Sequence, residues 1–329
     1  MKTQLVIARS IVLACGILSA GAALAAEGAS SYPSKPVTMI VSFPPGGSSD
    51  FFTRLVANGL SKKWNQPVVV ENRPGGGGNI GAQLASRAPA DGYTLYMSSI
   101  NTHGINPGLY TNLGYDPIND FTPISRIATV TNVVVVNPEL PVNTVPELLR
   151  YFEENPEKAF YASPGAGTSP HLSSELFKRM TQSNITHVPY KGSTPALTDV
   201  MAGTVPFAID NLPAAIGNIK AGNLRALAVT APERTPELPD VPTMQESGVE
   251  GYNVTSWWGL FGRAGTPDEI ISKINRDVVD LLKDPETQKI IAGQGALAAP
   301  STPEELHELV TSEVKRWTEV IKEANISLE

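Results

Sequence analysis

Short apolar runs, many of them β-branched, alternate along this chain with stretches whose apolar residues recur at helical spacing. The first run, residues 37–41, reads Val-Thr-Met-Ile-Val and contains no breaker. A small-residue turn, 42–50, follows. Beyond it Phe52, Leu55, Val56 and Leu60 fall at i, i+3, i+4 and i+8, one face of a helix. The same rhythm predicts strands at 67–71, 93–97, 160–162, 185–189, 205–209 and 224–230. Helices are predicted over 79–85, from Leu172, and over 193–202. Residues 124–127 and 133–136 read as two strands flanking a change of region, and 98–123 as a long irregular piece. Residues 251–261 are extended and lead back toward C-terminal helices. Thr144-Val145-Pro146-Glu147 has capping-box spacing with proline in the first turn. The spacing recurs from Thr266 and from Thr302. The last helix places Leu306, Leu309, Val310, Val314, Trp317 and Ile321 on one face. Alternating strands and helices predict an α/β fold with largely parallel sheets.

The turn Ser42-Phe43-Pro44-Pro45-Gly46-Gly47-Ser48-Ser49-Asp50 organises the rest. Its prolines stop the strand, its glycines let backbone pass close to another group, and its serines or Asp50 can cap the helix. A helix start presents unpaired N–H groups and a partial positive charge, so it favours anions. Many Gly-rich strand–helix turns nevertheless bind nothing. A second turn, Ser163-Pro164-Gly165-Ala166-Gly167-Thr168-Ser169-Pro170-His171, repeats the same physics in the other half. Two such loops facing each other across a cleft can each grip one end of an anion. Neither contains Lys or Arg, so backbone N–H groups and hydroxyls would do the gripping. Ser98 and Ser99, where a strand opens into a polar loop, join the candidate ligand-binding residues.

At 329 residues the chain is long enough for two domains, and 41% hydrophobic with 17% charged content suits a packed core. Lys2 and Arg9, an apolar run over 11–24 and Ala23-Leu24-Ala25 read as an export signal cleaved after Ala25. A rival, lipoprotein processing at Cys15, is poorly matched by Val12-Leu13-Ala14-Cys15. Cleavage would remove the only cysteine, leaving no disulfide and no thiolate. It would also leave 23 basic against 32 acidic residues, a charge of −9, with no basic run. Nucleic acid and anionic membrane are therefore not expected partners.

Enzyme signatures fail one by one. No Lys-Ser or Lys-Thr follows the glycines, so neither loop is a Walker phosphate loop. Gly165-Ala166-Gly167 lacks the third glycine of a dinucleotide fingerprint. Gly167-Thr168-Ser169-Pro170-His171 lacks the last glycine of a nucleophile elbow. Ser169 and His171 leave one enzyme alternative, a periplasmic hydrolase. The four histidines show no metal-ligand spacing, and no metal or cofactor is expected. Three further features keep two readings each. Asp210 ends a strand and is a ligand residue or a turn residue bonding its own backbone. Tyr190-Lys191-Gly192 closes the cleft or is a solvated turn. Trp257-Trp258 lines the cleft or packs the core.

The chain resembles the periplasmic solute-binding proteins of tripartite tricarboxylate transporters, the Bug or TctC type. The marks are Tyr32-Pro33-Ser34-Lys35-Pro36, Pro45-Gly46-Gly47 with Asp50 and Arg54, and Val70-Glu71-Asn72-Arg73-Pro74-Gly75. Others are Ala90-Asp91-Gly92-Tyr93-Thr94-Leu95, Gly165-x-Gly167 with His171-Leu172, and His187-Val188-Pro189-Tyr190-Lys191-Gly192. Leu238-Pro239-Asp240-Val241-Pro242-Thr243 and Trp258-Gly259-Leu260 complete the set. The resemblance implies a two-lobed type II periplasmic-binding-protein fold whose chain crosses between lobes twice. Lobe 1 would hold 32–130 and 256–329, and lobe 2 131–255. It implies a small carboxylate ligand, a di- or tricarboxylate or aromatic acid, delivered to the membrane components of such a transporter by a monomer. By position it carries ligand binding onto Phe43, Gly46, Gly47, Ser48 and Ser49, onto Gly165, Ala166, Gly167, Thr168 and Ser169, and onto Asp210. The chain departs from the family pattern at Phe261-Gly262-Arg263-Ala264-Gly265 and at Pro206, which leaves ligand identity open. Presentation of a ligand to a sensor kinase is compatible with the same fold.

Overall fold

A computed structural model describes residues 31–323, so the expected export signal and Cys15 lie outside the described residues. β1 (Val37–Val41) runs parallel to β2 (Val68–Asn72) on one side and to β3 (Thr94–Ser99) on the other. Its side chains are covered on both faces, which is why it reads as an unbroken apolar run rather than an alternating one. Between β1 and β2 lies α1 (Ser48–Trp64), which buries Phe52, Val56 and Leu60. α2 (Asn79–Ser86) joins β2 to β3. The expected irregular segment contains a π-helical turn (Asn101–Ile105) and α3 (Asn106–Leu109). Polar residues hide both from a periodicity reading, yet Thr102, His103 and Asn106 are fully buried.

β4 (Phe121–Val136) is one 16-residue strand where two were expected. No Pro or Gly interrupts 124–136, and Thr131 and Asn132 find long-range partners. The Thr131 hydroxyl accepts the Ala231 N–H at 3.0 Å, and the Asn132 N–H donates to Thr230 Oγ1 at 2.8 Å. Up to Thr131 the strand pairs with β9 (Thr255–Arg263). From Asn132 onward it pairs with β7 (Phe207–Asn211) and β8 (Arg225–Val229). β4 thus crosses between the lobes, and the chain returns to the first lobe at the start of β9.

The second lobe holds α4 (Val145–Glu154), β5 (Phe160–Ser163), α5 (Ser169–Thr181), β6 (Thr186–Pro189), α6 (Ser193–Met201) and α7 (Leu212–Lys220). β5 runs parallel to β6 and β7. Strand order is β2-β1-β3-β9-β4-β7-β5-β6. The sheets are mixed rather than largely parallel, and each antiparallel pair involves β4 or β9. β4 and β9 are not joined to their neighbours by strand–helix–strand units, so nothing forces them parallel.

After β9 the chain adds α8 (Asp268–Lys283), α9 (Pro285–Ala292), β10 (Ala296–Ala298) and α10 (Pro303–Glu323) to the first lobe. Of the three capping-box spacings, the one at Thr302 closes fully and the one at Thr144 in part, its glutamate reaching one residue further back. Thr144 Oγ1 accepts the Glu147 N–H at 3.3 Å while Glu147 accepts the Asn143 N–H at 2.6 Å. Thr302 and Glu305 bond reciprocally at 3.2 and 2.9 Å. Thr266 instead donates to the Arg263 carbonyl at 2.7 Å, closing the turn before α8, and Pro267 stands at the N-cap. Among the described residues no helix is long and apolar enough to cross a membrane.

Candidate functional site

The turn between β1 and α1 is locked from inside. Gly46, at φ +90°, donates its N–H to Asp50 Oδ2 at 3.1 Å. Asp50 also accepts Arg54 Nε at 2.9 Å and Asn72 Nδ2 at 3.0 Å. Burial pushes this carboxyl up, but the bonds from Arg54, Asn72 and Gly46 outweigh it and hold it below its ordinary value. With Gly46 spent, the open donors at the α1 start are the N–H groups of Ser48 and Ser49, which have no intrahelical acceptor. Ser49 Oγ accepts the indole N–H of Trp258 at 2.9 Å. Ser48 Oγ is buried and has no partner among the described residues.

The second turn spends its donors on the protein. Gly165 donates to Ser163 Oγ at 3.2 Å, Gly167 to His171 Nδ1 at 3.1 Å, and Thr168 to the Gly165 carbonyl at 3.3 Å. Ser169, first residue of α5, donates its N–H to Asn101 Oδ1 of the other lobe at 2.6 Å. One other helix start stays open in the second lobe: Gly192 at the N-cap of α6 supplies no side-chain cap. At α7 the N-cap Asn211 spends its N–H on Asp210, and Pro213 in the first turn has none. Asn211 Oδ1 is buried without a partner among the described residues.

These elements enclose a cavity of about 50 Å³ between the lobes. Phe43, Gly47, Ser48, Ser49, Asn101 and Trp258 line one side; Thr168, Lys191, Ser193, Thr194 and Asn211 line the other. The volume holds a few waters, so an organic acid several carbons long enters only if the lobes part. They are closed on each other. A Cβ added to Gly192 would stand 3.3 Å from Pro44, and one on Gly77 3.3 Å from the Ala166 carbonyl. Of the residues singled out from sequence, Phe43, Gly47, Ser48, Ser49 and Thr168 reach the cavity. Gly46, Gly165, Ala166, Gly167 and Ser169 do not line it, and their backbone and hydroxyl bonds shape the two turns. Ser98 and Ser99 lie in the buried end of β3, where Ser98 Oγ meets Thr102 at 2.8 Å and His103 Nδ1 at 2.7 Å. Ser193, Thr194, Asn211 and Asn101 went unmarked as ligand residues. The signal was present for the first three: Gly192-Ser193 and Asp210-Asn211-Leu212-Pro213 are also strand–turn–helix junctions.

Asp210 is fully buried behind this wall. Its Oδ1 accepts the Asn211 N–H at 2.7 Å and contacts Ser193 Oγ at 3.0 Å, while Oδ2 has no partner among the described residues. Burial pushes the carboxyl up to about 7 against the pull of those two bonds. Beneath the second turn, His171 and His187 stack with centroids 4.1 Å apart. Burial lowers them to about 4 and about 3, and each charged form would also face a cationic neighbour. Ser169 Oγ meets Ser256 Oγ at 2.7 Å, and His171 Nδ1 is occupied by Gly167. The serine and histidine weighed as a hydrolase pair therefore do not form one. Trp258 combines both readings weighed for it: it lines the cavity and packs on Phe52 at 4.9 Å.

Two lobes joined by two chain crossings, closed over a cleft lined by helix starts and hydroxyls, define a solute receptor rather than an enzyme. The comparisons agree. The pattern of tripartite tricarboxylate transporter family receptors matches residues 52–326. BugT of Bordetella pertussis is 36% identical over 316 residues, 95% of this chain and 97% of BugT. The R. palustris protein Rpa4515, solved with adipate, is 41% identical with a TM-score of 0.88, covering 90% of this chain and all of that one. MatC from Rhodopseudomonas palustris, solved with malate, is 32% identical with a TM-score of 0.83, covering 88% of this chain and all of that one. The chain belongs to the tripartite tricarboxylate transporter receptor family, TctC, and is a solute-binding protein.

Proposed function

We propose that the protein works in the periplasm, closes its lobes on a small organic carboxylate and delivers it to the membrane components of a tripartite tricarboxylate transporter. One observation carries this reading. The unspent start of α1, with Ser48 and Ser49, faces the unspent start of α6 and the Asn211 side chain across one cavity, with Lys191 at its edge. Both walls offer N–H groups and hydroxyls, and the α1 start adds a 17-residue helix dipole. An acid with a carboxylate toward each wall satisfies both. The adipate and malate bound by relatives support a dicarboxylate, and the −9 charge of the exported form makes the site's own donors decisive.

The ligand-contacting set in this reading is Phe43, Gly47, Ser48, Ser49 and Thr168 with Ser193, Thr194, Asn211 and Lys191. Gly46, Gly165, Ala166, Gly167 and Ser169 hold the turns that present them. Bonds to a charged acceptor contribute about 1.5–3 kcal/mol each, so three or four give affinity near micromolar after ordering costs. A thermal-shift panel of mono-, di- and tricarboxylates and aromatic acids tests this. A binder at a hundred times its Kd adds about 2.7 kcal/mol of stability, a rise of several degrees. A panel in which no acid raises the melting temperature contradicts the reading.

A further inference from the structure

Asp210 stands behind the second wall, and what it does follows from where one proton goes; the inference rests on the carboxylate reading above. Ser193 Oγ lies between Asp210 Oδ1, at 3.0 Å, and the ligand space. A Cβ placed on Gly47 in the opposite wall would come within 3.9 Å of that hydroxyl. The hydroxyl has a single proton to donate, either inward to the carboxyl or outward to the ligand.

Three proton arrangements compete. With Asp210 ionised, Ser193 donates inward and a buried charge keeps one bare oxygen, which is costly. A proton on Oδ2 gives a buried O–H with no acceptor. A proton on Oδ1 lets the carboxyl donate to Ser193 Oγ, while Oδ2 becomes a neutral carbonyl-type oxygen, the least costly atom to leave unpaired. That third arrangement frees the Ser193 proton to point into the cleft.

We propose that Asp210 sets the hydrogen-bonding polarity of the second wall. Neutral, it turns the Ser193 hydroxyl outward as a donor to a ligand carboxylate; ionised, it draws that hydroxyl inward and leaves only acceptor lone pairs facing the ligand. Asp210 is a positioning residue, acting through Ser193. A carboxylate therefore binds with uptake of a proton whenever Asp210 starts ionised. A solute that presents a donor, such as an amide or ammonium group, prefers the ionised form.

Other titratable groups on the surrounding elements have their own partners. Tyr161 of β5 is bonded to Glu175 of α5, Asp199 of α6 to Tyr190, and Lys220 of α7 to Glu237. Across the cleft Asp50 is paired with Arg54, and on the far half of β4 Arg126 donates to the Ala299 carbonyl. His171 accepts from Gly167, Lys178 and Arg179 sit in the last turn of α5, and Lys191 is exposed at the cavity edge. Burial, the Asn211 N–H and Ser193 are what act on Asp210.

The test is calorimetric titration of adipate, malate and other four- to eight-carbon dicarboxylates between pH 6.5 and 8.5, in paired buffers of different ionisation enthalpy. For an acid that binds, affinity should fall about tenfold or more across this range, with proton uptake growing toward high pH. Ser193→Ala should bind at pH 6.5 as weakly as wild type does at pH 8.5, and without pH dependence. Asp210→Asn, whose carbonyl keeps Ser193 turned inward, should be equally weak and flat. Wild-type binding that is flat in pH, or a pH slope that survives in Ser193→Ala, overturns the inference and leaves the carboxylate reading standing. If no acid binds at any pH, neither these dicarboxylates nor the mono- and tricarboxylates and aromatic acids of the panel above, both readings fall together.

Discussion

The side-chain oxygen of Asn101 accepts the backbone N–H of Ser169 at 2.6 Å, and the two residues belong to different lobes. Asn101 opens the π-helical turn after β3, and Ser169 opens α5. The bond ties the lobes together in this closed arrangement, as a latch would, and removes a helix-start donor from the ligand's reach.

Replacing Asn101 by Ala leaves that N–H unpaired in the closed state. The expected cost is about 1.5 kcal/mol on closure, hence roughly tenfold weaker ligand binding. Titration of a cognate acid, with solution scattering to follow compaction, reads both effects. Unchanged affinity would mean the latch contributes nothing.

Asp50 holds Gly46, Arg54 and Asn72 together at the first turn. Asp50→Ala frees all three from a largely buried carboxylate. Loss of stability of about 1–3 kcal/mol is expected, seen as a lower denaturant midpoint with the slope unchanged. Binding should weaken as well, because the turn that presents Ser48 and Ser49 loosens. A variant as stable as wild type would show that the glycines and prolines hold the turn unaided.

Asp210 also predicts how stability varies with pH. Its folded value, about 7, is above the ordinary 3.8, so the folded protein binds the proton more tightly than the unfolded chain does. Its contribution is therefore undiminished below pH 3.8 and is lost as pH rises through 7, a loss of up to about 4 kcal/mol. His103, His171 and His187, lowered by burial to about 3, 4 and 3, give the opposite slope, losing stability as pH falls below 6.5. The difference between Asp210→Asn and wild type isolates the carboxyl. That difference should move in favour of the variant from pH 4 to pH 7.5 in unfolding experiments. A difference independent of pH would mean the carboxyl titrates normally.

How much of this was legible in the sequence depended on how local the cause was. The β1–turn–α1 unit follows from neighbouring residues: an apolar run, two prolines, two glycines and a helical stripe. The Thr144 N-cap and the Thr302 capping box likewise depend on residues within one turn, and both formed. The continuity of β4 was not legible, because Thr131 and Asn132 are satisfied by residues about a hundred positions away, Thr230 and Ala231. The candidate site divides the same way. A helix start remains open to a ligand only if no side chain reaches it first. At the second turn one does, from Asn101, 68 residues earlier. Periodicity and turn chemistry cannot see such a contact, so they do not tell the open start at Ser193 from the closed one at Ser169. Gly46 is the exception: Asp50 lies four residues on, and its reach back to that N–H was there to be read.

The central claim is that a small carboxylate sits between the starts of α1 and α6. Gly47 offers the most direct measurement, because its φ of −95° suits any residue and a Cβ there meets Ser193 Oγ at an ordinary 3.9 Å. Gly47→Val should therefore fold normally while its branches occupy the ligand's space. Titrating the best acid from the panel into wild type and Gly47→Val, with unfolding curves for both, decides the matter. Wild type should bind at micromolar concentration and the variant not at all, with equal stability without ligand. Wild-type affinity in a folded Gly47→Val protein would place the ligand elsewhere and contradict it.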